Sequence, residues 1–265
     1  MIKLYTKKAR AVYKLSIFAF AIGSFMAYSM VTVVLAGFDP NKVRKKLIDK
    51  VSLISRFSLY VMNIKVDARL EALLKSNKNF LIVCNHLSYI DAFVISAFAP
   101  TCYVTSVEMK ETPFLGQICQ LAGCLFVERR SRNNLSGEVQ EMSQALSEGV
   151  NVTVFPEAAA GNGEALLRFR RPLYQAAIDA KVGVLPLCLN YKSLDGEKVS
   201  LQNRDILFWH DDTNFFVHML RYLESSELEI SLDELGEIEF HEEHDKVALM
   251  EKSFALIESK YVKVN

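Results

Sequence analysis

The sequence has no excess of charge of either sign, because its 31 lysine and arginine residues balance its 31 aspartate and glutamate residues. No global electrostatic field therefore draws the protein to nucleic acid or to acidic substrates, and we expect no nucleic-acid partner. The sequence after residue 62 also lacks repeats, low-complexity tracts and linkers. This absence predicts a single domain over residues 63–265.

Cysteine is scarce, and its spacing does not predict a disulfide or zinc framework. The number of cysteines is odd and no two form a Cys-x-x-Cys pair; they are Cys84, Cys102, Cys119, Cys124 and Cys188. This usage is typical of buried, reduced thiols in a protein that faces the cytosol. A metal-dependent hydrolase finds its best support in His241-Glu242-Glu243-His244, but the spacing is not His-Glu-x-x-His and indicates a solvated surface. We therefore expect no metal site.

One long segment has no charged residue at all, from Leu15 to Gly37. A bilayer core of roughly 30 Å requires about 20 helical residues, so this segment is long enough to span. The alternative is a cleaved signal peptide, whose apolar part usually has about 7–15 residues. We predict a retained membrane anchor.

Basic residues flank this apolar segment on both sides, although a single span would leave one flank outside the cytoplasm. A segment that enters the membrane without crossing it is therefore an alternative. The next stretch, Val43 to Met62, has apolar residues at helical spacing and basic residues elsewhere around the helix. It is interpreted either as a core-packing helix or as an interfacial helix. Residues 1–62 are predicted to be membrane-anchoring helices.

The remaining chain predicts an α/β fold with a mixed, largely parallel sheet flanked by helices. The predicted strands are Phe80–Cys84, Thr101–Val107, Cys124–Val127, Asn151–Phe155 and Val184–Asn190, with Leu228–Phe240 as a late strand. The predicted helices are Tyr89–Ala99, Ser136–Glu148, Pro172–Ala180 and Lys246–Tyr261.

A polar motif follows the first predicted strand, where catalytic groups of open α/β sheets often lie. It reads Asn85-His86-Leu87-Ser88-Tyr89-Ile90-Asp91. A helix capping box with Ser88 as N-cap explains Ser88 and Asp91 but leaves His86 unexplained. A histidine within reach of a carboxylate has a fixed tautomer and raised basicity. The motif therefore predicts an acid–base pair of His86 and Asp91.

Other predicted strand ends also carry unusual residues. The stretch from Gly123 to Arg132 ends in arginines that suit phosphate or carboxylate, although a solvated charged turn is the alternative. Phe155-Pro156-Glu157 leads into Gly161-Asn162-Gly163, which permits a tight turn and close ligand approach. Glu157 is otherwise an ordinary loop carboxylate. Pro186 within the last strand predicts an edge, a bulge or a strand start.

In this order, the segments resemble the glycerolipid acyltransferase superfamily, whose best-known members acylate lysophosphatidic acid. The family's first motif, Asn-His-x-Ser-x-x-Asp, is matched by Asn85, His86, Ser88 and Asp91. The second, Gly-x-x-Phe-Val-x-Arg, is matched by Gly123, Phe126, Val127 and Arg129, with Arg132 as a frequent further arginine. The third, Phe-Pro-Glu-Gly-Thr, is matched only at Phe155, Pro156 and Glu157, and Pro186 fits the fourth. Ala158, Ala159 and Ala160 replace the usual glycine and hydroxyls, which looks like a subgroup with lyso-aminolipid acyltransferases.

The resemblance implies a glycerol-3-phosphate acyltransferase-like fold and an enzyme of phospholipid biosynthesis. It would move a fatty acyl group from acyl-CoA or acyl-carrier protein to the hydroxyl of a lysophospholipid such as 1-acylglycerol-3-phosphate, without a cofactor. By this resemblance His86 is the general base and Asp91 holds it, and the substrate-binding residues are Asn85, Ser88, Arg129, Arg132, Phe155, Pro156, Glu157 and Gly161.

The resemblance also implies a membrane location, with the catalytic domain facing the cytoplasm, at the inner membrane if the source is bacterial. Its partners are then membrane lipids, the lysophospholipid acceptor and the thioester donor. Two alternatives stay open. The acceptor is a lyso-ornithine type of lipid, or the protein is a non-catalytic lipid-binding membrane protein, as the three alanines at 158–160 allow.

Overall fold

The computed structural model of the protein describes residues 2–71, 73, 77–128, 135–211 and 213–265. Two helices, α1 (Ile2–Leu35) and α2 (Arg44–Met62), precede the sheet. The strands are β1 (Ile64–Arg69), β2 (Leu81–Cys84), β3 (Thr101–Ser106), β4 (Leu125–Val127), β5 (Asn151–Val154), β6 (Val184–Leu194), β7 (Glu197–Lys198) and β8 (Leu228–Glu234). The other helices are α3 (Ile90–Phe98), α4 (Val107–Glu111), α5 (Leu115–Leu121), α6 (Leu135–Ser147), α7 (Gln175–Ala180), α8 (Phe215–Leu223) and α9 (Lys246–Lys260).

The strands form one mixed sheet in the order β1-β8-β6-β2-β5-β3-β4, with β7 paired to β6. Five neighbouring pairs are parallel, and only the pairs of β6 with β8 and β7 are antiparallel among the described strands. The predicted fold class, a mixed and largely parallel sheet with flanking helices, is confirmed. Helices cover both faces, which is why the four residues of β2 are all buried and all apolar.

The sheet order brings the ends of three strands together. β2 lies between β5 and β6 and is parallel to both, so Val83 is paired with Val154 on one side and with Pro186 on the other. The chain leaving β2 and the chain leaving β5 therefore meet at the same edge of the sheet, beside the second half of β6.

Several element boundaries differ from the sequence prediction for local reasons. Helix α4 starts at Val107 because the Ser106 hydroxyl accepts a hydrogen bond from the Met109 amide and ends the strand. The late strand ends at Glu234 rather than at residue 240. Strand β1 was not predicted because its alternate residues are polar and exposed. Helices α5 and α8 were missed because they have only seven and nine residues, too few to establish a helical period.

Pro186 lies in β6, which has strands on both sides, so the edge-strand prediction is wrong and the strand-start prediction is close to what is observed. Pro186 is the third residue of β6. The Pro186 carbonyl accepts a hydrogen bond from the Leu235 amide, so the Pro186 nitrogen also faces the side of the sheet on which β8 lies. The paired residues of β8 end at Glu234 opposite Leu187, so no ladder hydrogen bond is lost there.

Helix α1 lies against the sheet domain over much of its length. Its residues from Thr6 to Leu35 form the one described helix that is long and apolar enough to cross a membrane, but part of this segment is buried inside the protein. The Lys14 ammonium donates to the carbonyls of Met62 and Ser225, and Arg10 donates to the carbonyl of Glu224. The apolar helix is therefore fastened to the rest of the chain by its own basic residues.

Helix α2 shows both features that its sequence predicted. Leu47 and Ile48 are buried against the domain, whereas Leu53, Phe57 and Tyr60 are exposed. One face thus packs on the core and another presents apolar side chains outward. The division of the chain into 1–62 and 63–265 stays a prediction.

Candidate active site

The loop after β2 carries a histidine and a carboxylate in direct contact. His86 Nδ1 lies 2.9 Å from Asp91 Oδ2. Asp91 is completely buried, whereas the His86 side chain is 23% exposed. Because Asp91 accepts at this oxygen, Nδ1 is the donor of the imidazole and Nε2 is left as its acceptor. The predicted pairing of His86 and Asp91 is therefore present in the structure.

Asp91 is held by three further donors. Its Oδ2 accepts from the amides of Leu87 and Ser88 at 2.7 and 2.9 Å, and its Oδ1 accepts from the Tyr191 hydroxyl at 2.7 Å. Burial and the nearby Asp91 charge raise the pKa of Tyr191 well above its ordinary value, so its hydroxyl remains a donor. Four donors around one carboxylate fix the orientation of the imidazole.

The predicted capping box is only half present. Asp91 accepts from the Ser88 amide, as the reciprocal half of such a box requires. The helix, however, begins at Ile90 with Tyr89 as N-cap, and Tyr89 makes no side-chain cap. The prediction that Ser88 is the N-cap is therefore wrong. The Asp91 carboxylate instead accepts hydrogen bonds from the backbone amides of the loop that carries His86.

Glu157, which follows β5, binds the backbone of the histidine loop. Its two carboxylate oxygens accept from the His86 amide at 2.6 Å and from the Leu167 amide at 2.8 Å. The Gly161 amide in turn donates to the His86 carbonyl at 2.8 Å. Burial raises the pKa of Glu157 to about 7, against the opposing effect of the two amides. The turn after β5 thus holds both backbone polar groups of His86.

Other predicted substrate-binding residues also support the loop from within. The Asn85 side chain is fully buried and bonded through both its amide groups to the backbone of Leu189 in β6. Ser88 is fully buried, and Pro156 is buried with its carbonyl accepting from the Arg170 amide. In this structure, the side chains of Asn85 and Glu157 bind the protein's own backbone behind the site, whereas Ser88 contributes its amide to Asp91.

Phe155 has a different environment, because its ring stacks on His86. The ring centroids are 4.1 Å apart and the planes are inclined by 15°. Phe155 and His86 both border a cavity of about 520 Å³ that is lined mainly by apolar and aromatic side chains from α1, α2, α3, α5 and α8. A cavity of this size and character fits an extended apolar ligand beside the imidazole.

The turn after β5 contains a strained residue. Ala158 has φ of +63°, in the left-handed region that favours glycine. This is the position at which the resembled family has glycine, and the strain of an alanine there is about 1–2 kcal/mol. The conformation is retained because Glu157 and Gly161 on either side are bonded to His86.

Replacing Ala158 by glycine is expected to stabilise the protein by about 1 kcal/mol, because the relief of strain exceeds the added freedom of the unfolded chain. Ala159 does not share the left-handed conformation, so Ala159→Gly is the matched control and should not stabilise. Thermal unfolding of both variants measures the difference. An equal effect of the two substitutions would show that Ala158 is not strained.

Two predicted site residues lie outside the described part of the chain, namely Arg129 and Arg132. The predicted anion site stays a prediction for that reason. His241, Glu242 and Glu243 lie in an exposed turn, and His244 is half-buried. The described residues contain no group of three or more His, Cys, Asp or Glu side chains placed to hold a metal ion. The hydrolase alternative therefore has no metal site in this part of the chain to support it.

Sequence reasoning missed Tyr191 and the aromatic lining of the cavity. Tyr191 stands 100 residues from Asp91, and nothing in its neighbours marks it as polar support. Trp209 also approaches the histidine loop, because its amide donates to the Leu87 carbonyl at 3.0 Å. The order of strands in the sheet brings these residues together. The spacing of residues in the sequence does not predict that order.

Comparison with known proteins gives concordant matches. The sequence model of the Acyltransferase family matches residues 65–190. A 1-acyl-sn-glycerol-3-phosphate acyltransferase of Neisseria gonorrhoeae is 31% identical over 172 residues, which cover 65% of each chain. A lyso-ornithine lipid O-acyltransferase of Rhizobium meliloti is 28% identical over 183 residues, covering 66% of this chain and 62% of that protein. The match thus spans slightly less than two thirds of either relative.

A solved structure shows the same fold. The crystal structure of the 1-acyl-sn-glycerophosphate (LPA) acyltransferase PlsC from Thermotoga maritima superposes with a TM-score of 0.64 and 16% identity, covering 96% of both chains. The family match extends over β2, β5 and the loops that hold His86, Asp91 and Glu157. Residues 65–190 of the chain are therefore similar in sequence to the acyltransferase family, and the chain has the fold of PlsC.

Proposed function

We propose that the protein transfers a fatty acyl group from an acyl thioester to the hydroxyl of a lysophospholipid, with His86 as general base. The observation that carries the proposal is the 2.9 Å contact of His86 with buried Asp91 at the wall of an apolar cavity. Neither half suffices alone, because a paired histidine has many uses and an apolar cavity can hold any lipid. Together they support a general base beside a cavity that an acyl chain would fit.

The reaction follows from this geometry. Asp91 holds the Nδ1 proton, so Nε2 takes the proton of the acceptor hydroxyl as its oxygen attacks the thioester carbonyl. A carbon–oxygen bond forms, the carbon–sulfur bond breaks, and the thiol leaves with the proton that His86 carried. The thioester is already activated, so a positioned base worth roughly 10²–10⁴-fold, together with proximity, supports the reaction. The proposed chemistry needs neither a metal nor a cofactor.

The first candidate acceptor is 1-acylglycerol-3-phosphate, and the donor is acyl-CoA or acyl-carrier protein. The second candidate is a lyso-ornithine type of lipid. The observation that favours the second is the run of Ala158, Ala159 and Ala160, since Ala158 and Ala159 border the cavity where the resembled family's motif has a glycine and a hydroxyl. The missing donors disfavour a phosphate, whose oxygens are strong hydrogen-bond acceptors, and the ornithine head group carries no phosphate.

A panel of lysolipids tests the proposal. The purified protein is assayed in vesicles with labelled acyl-CoA and, separately, with acyl-carrier protein, against lysophosphatidic acid and lyso-ornithine lipid. Transfer to one acceptor identifies the substrate and the donor. A folded protein that transfers to none of them, with either donor, would favour the non-catalytic lipid-binding alternative.

An N-terminal apolar helix in a family of membrane-lipid acyltransferases indicates membrane association. We propose that the catalytic domain faces the cytoplasm and that α1 enters the bilayer without crossing it. Support comes from Ala11, Lys14, Ile22 and Phe25, which are buried along α1 against the domain and would be separated from it by a full crossing. The five free cysteines, of which Cys84, Cys102 and Cys188 are buried, agree with a cytosolic face.

This topology predicts that both ends of α1 are accessible from one side. Cysteines introduced at Lys8 and Lys42, both exposed, should react with a membrane-impermeant maleimide from the cytoplasmic side of sealed vesicles. The native cysteines first have to be replaced by serine or alanine. Labelling of the two positions from opposite sides would show that α1 spans the membrane.

Tyr191 is predicted to be a positioning residue for this reaction. Tyr191→Phe removes one charge-assisted hydrogen bond to Asp91, and the expected loss in kcat is roughly tenfold. The acceptor KM should not change, because the hydroxyl is buried behind Asp91. A loss in stability with unchanged kcat would assign Tyr191 a merely structural role.

A further inference from the structure

Helix α8 is apolar on two faces, although it lies at the surface. One face buries His218, Met219, Tyr222 and Leu223. On the other face, Phe216, Val217 and Leu220 are 46%, 46% and 44% exposed. A surface helix of a soluble domain carries polar residues on its outer face, whereas a helix that is apolar all round contacts either protein or lipid.

A fourth exposed residue extends this surface. Phe114, the N-cap of α5, is 45% exposed and its ring centroid lies 6.3 Å from that of Phe216. Its φ is +68°, which is unusual for a bulky side chain. We call Phe114, Phe216, Val217 and Leu220 the α8 patch. Backbone strain that directs an aromatic ring outward indicates a functional surface.

The α8 patch is continuous with the apolar N-terminal helix. Arg10 and Lys14 of α1 donate to the carbonyls of Glu224 and Ser225, which immediately follow α8. Phe114 and Phe216 also border the cavity that contains His86, and since both are nearly half exposed they lie at its opening. The patch therefore lies beside the membrane helix and around the entrance to the proposed active site.

The charges near the patch fit a lipid surface. Lys7, Lys8 and Arg221 are exposed next to the residues that join α1 to α8. Basic side chains bordering an apolar surface are typical of elements that lie in the interface of an anionic bilayer. We propose that the α8 patch inserts into the bilayer and places the opening of the cavity among the lipids. This inference rests on membrane association and is independent of the acyl-transfer reaction.

The single tryptophan of the chain provides the measurement. Trp209 borders the cavity and its ring lies 5.6 Å from Phe215, at the start of α8. The full chain is reconstituted in vesicles of phosphatidylcholine and phosphatidylglycerol with brominated acyl chains, which quench tryptophan that is close to them. We expect strong quenching of Trp209 in the unaltered protein.

The variant Val217→Ser/Leu220→Ser should reduce this quenching by about half or more, because two apolar side chains no longer favour insertion. Neither residue belongs to the described lining of the cavity, so a lipid entering the cavity cannot explain the difference. Val262→Ser is the matched control, because Val262 is 58% exposed and follows α9, and neither Val262 nor α9 belongs to the described lining of the cavity. It should be quenched like the unaltered protein.

Quenching that is equal in the double variant and the unaltered protein would overturn the proposal. A change in oligomeric state without a change in quenching would also overturn it, because the patch would then be a contact between copies. Trp209 in the His86→Ala variant should be quenched as in the unaltered protein. A failure of the proposed reaction can therefore be distinguished from a failure of membrane insertion. If the double variant does not fold, Trp209→Phe/Val217→Trp moves the fluorophore into the patch, and weak quenching there overturns the proposal.

Discussion

Replacing His86 by alanine is expected to reduce acyl transfer by roughly 10²–10⁴-fold, which is the contribution of a positioned general base. The imidazole Nε2 is the acceptor that faces the cavity, and in the described lining no other side chain stands in this relation to Asp91. The fold should be retained, because Glu157 and Gly161 bind the backbone of residue 86 and not its side chain. Initial rates with vesicle-borne acceptor, alongside circular dichroism, measure both outcomes.

The chain offers a matched control for this substitution. His210 is also 23% exposed and also lies beside a carboxylate, with Nε2 3.2 Å from Asp205. The described lining of the cavity does not include His210, so His210→Ala should leave the rate unchanged. Full turnover by purified His86→Ala protein would refute the assignment of the base. Equal losses in the two variants would indicate a general effect of losing a histidine.

Replacing Asp91 by asparagine is expected to lower kcat by roughly 10²–10⁴-fold with little change in acceptor KM. The amide oxygen can still accept from His86, Leu87 and Ser88, while the amide nitrogen faces the Tyr191 hydroxyl, which can turn and act as acceptor. The hydrogen bonds are thus conserved in number and the negative charge is lost. The imidazolium formed during the reaction then has no counter-charge.

The kcat and its pH dependence, measured from acid to neutral pH, test this prediction. Without the carboxylate the imidazolium loses its counter-charge, so kcat should fall over the whole pH range measured. Asp205→Asn is the control for the pair of His210 and should behave like the unaltered protein. An Asp91→Asn variant with the original kcat would show that the charge of this carboxylate does not support the reaction.

These substitutions also separate two contributions to the site. In the proposed reaction the side chains of His86 and Asp91 act on the reacting atoms. Glu157 instead binds the backbone amides of His86 and Leu167, and Asn85 binds the backbone of Leu189 in β6. His86→Ala and Asp91→Asn should leave stability nearly unchanged, because the first removes no partner of a backbone group and the second keeps the hydrogen bonds of the Leu87 and Ser88 amides. Loss of a buried carboxylate or amide that bonds two backbone groups costs about 1–3 kcal/mol for each donor left unpaired. Activity and stability should therefore respond to different residues.

Much of the fold could be predicted from the sequence, because the local periodicity of apolar residues indicates whether a segment forms a helix or a strand. Apolar runs such as Leu81–Cys84 predict buried strands, and their alternation with helices predicts a largely parallel sheet. Strand β1 was missed because an edge strand needs only one buried face. Helix α8 was missed because its nine residues are too few to establish a helical period.

The pairing of His86 with Asp91 could be predicted from sequence, because both residues belong to one loop of seven residues whose geometry is local. The residues that surround the pair depend on the tertiary fold. Tyr191 reaches Asp91 and Glu157 reaches the His86 amide across 100 and 71 residues, since β6, β2 and β5 are neighbours in the sheet. Local periodicity sets which strands form, but their order depends on how all the helices pack, including α1 and α8, which also enclose the cavity.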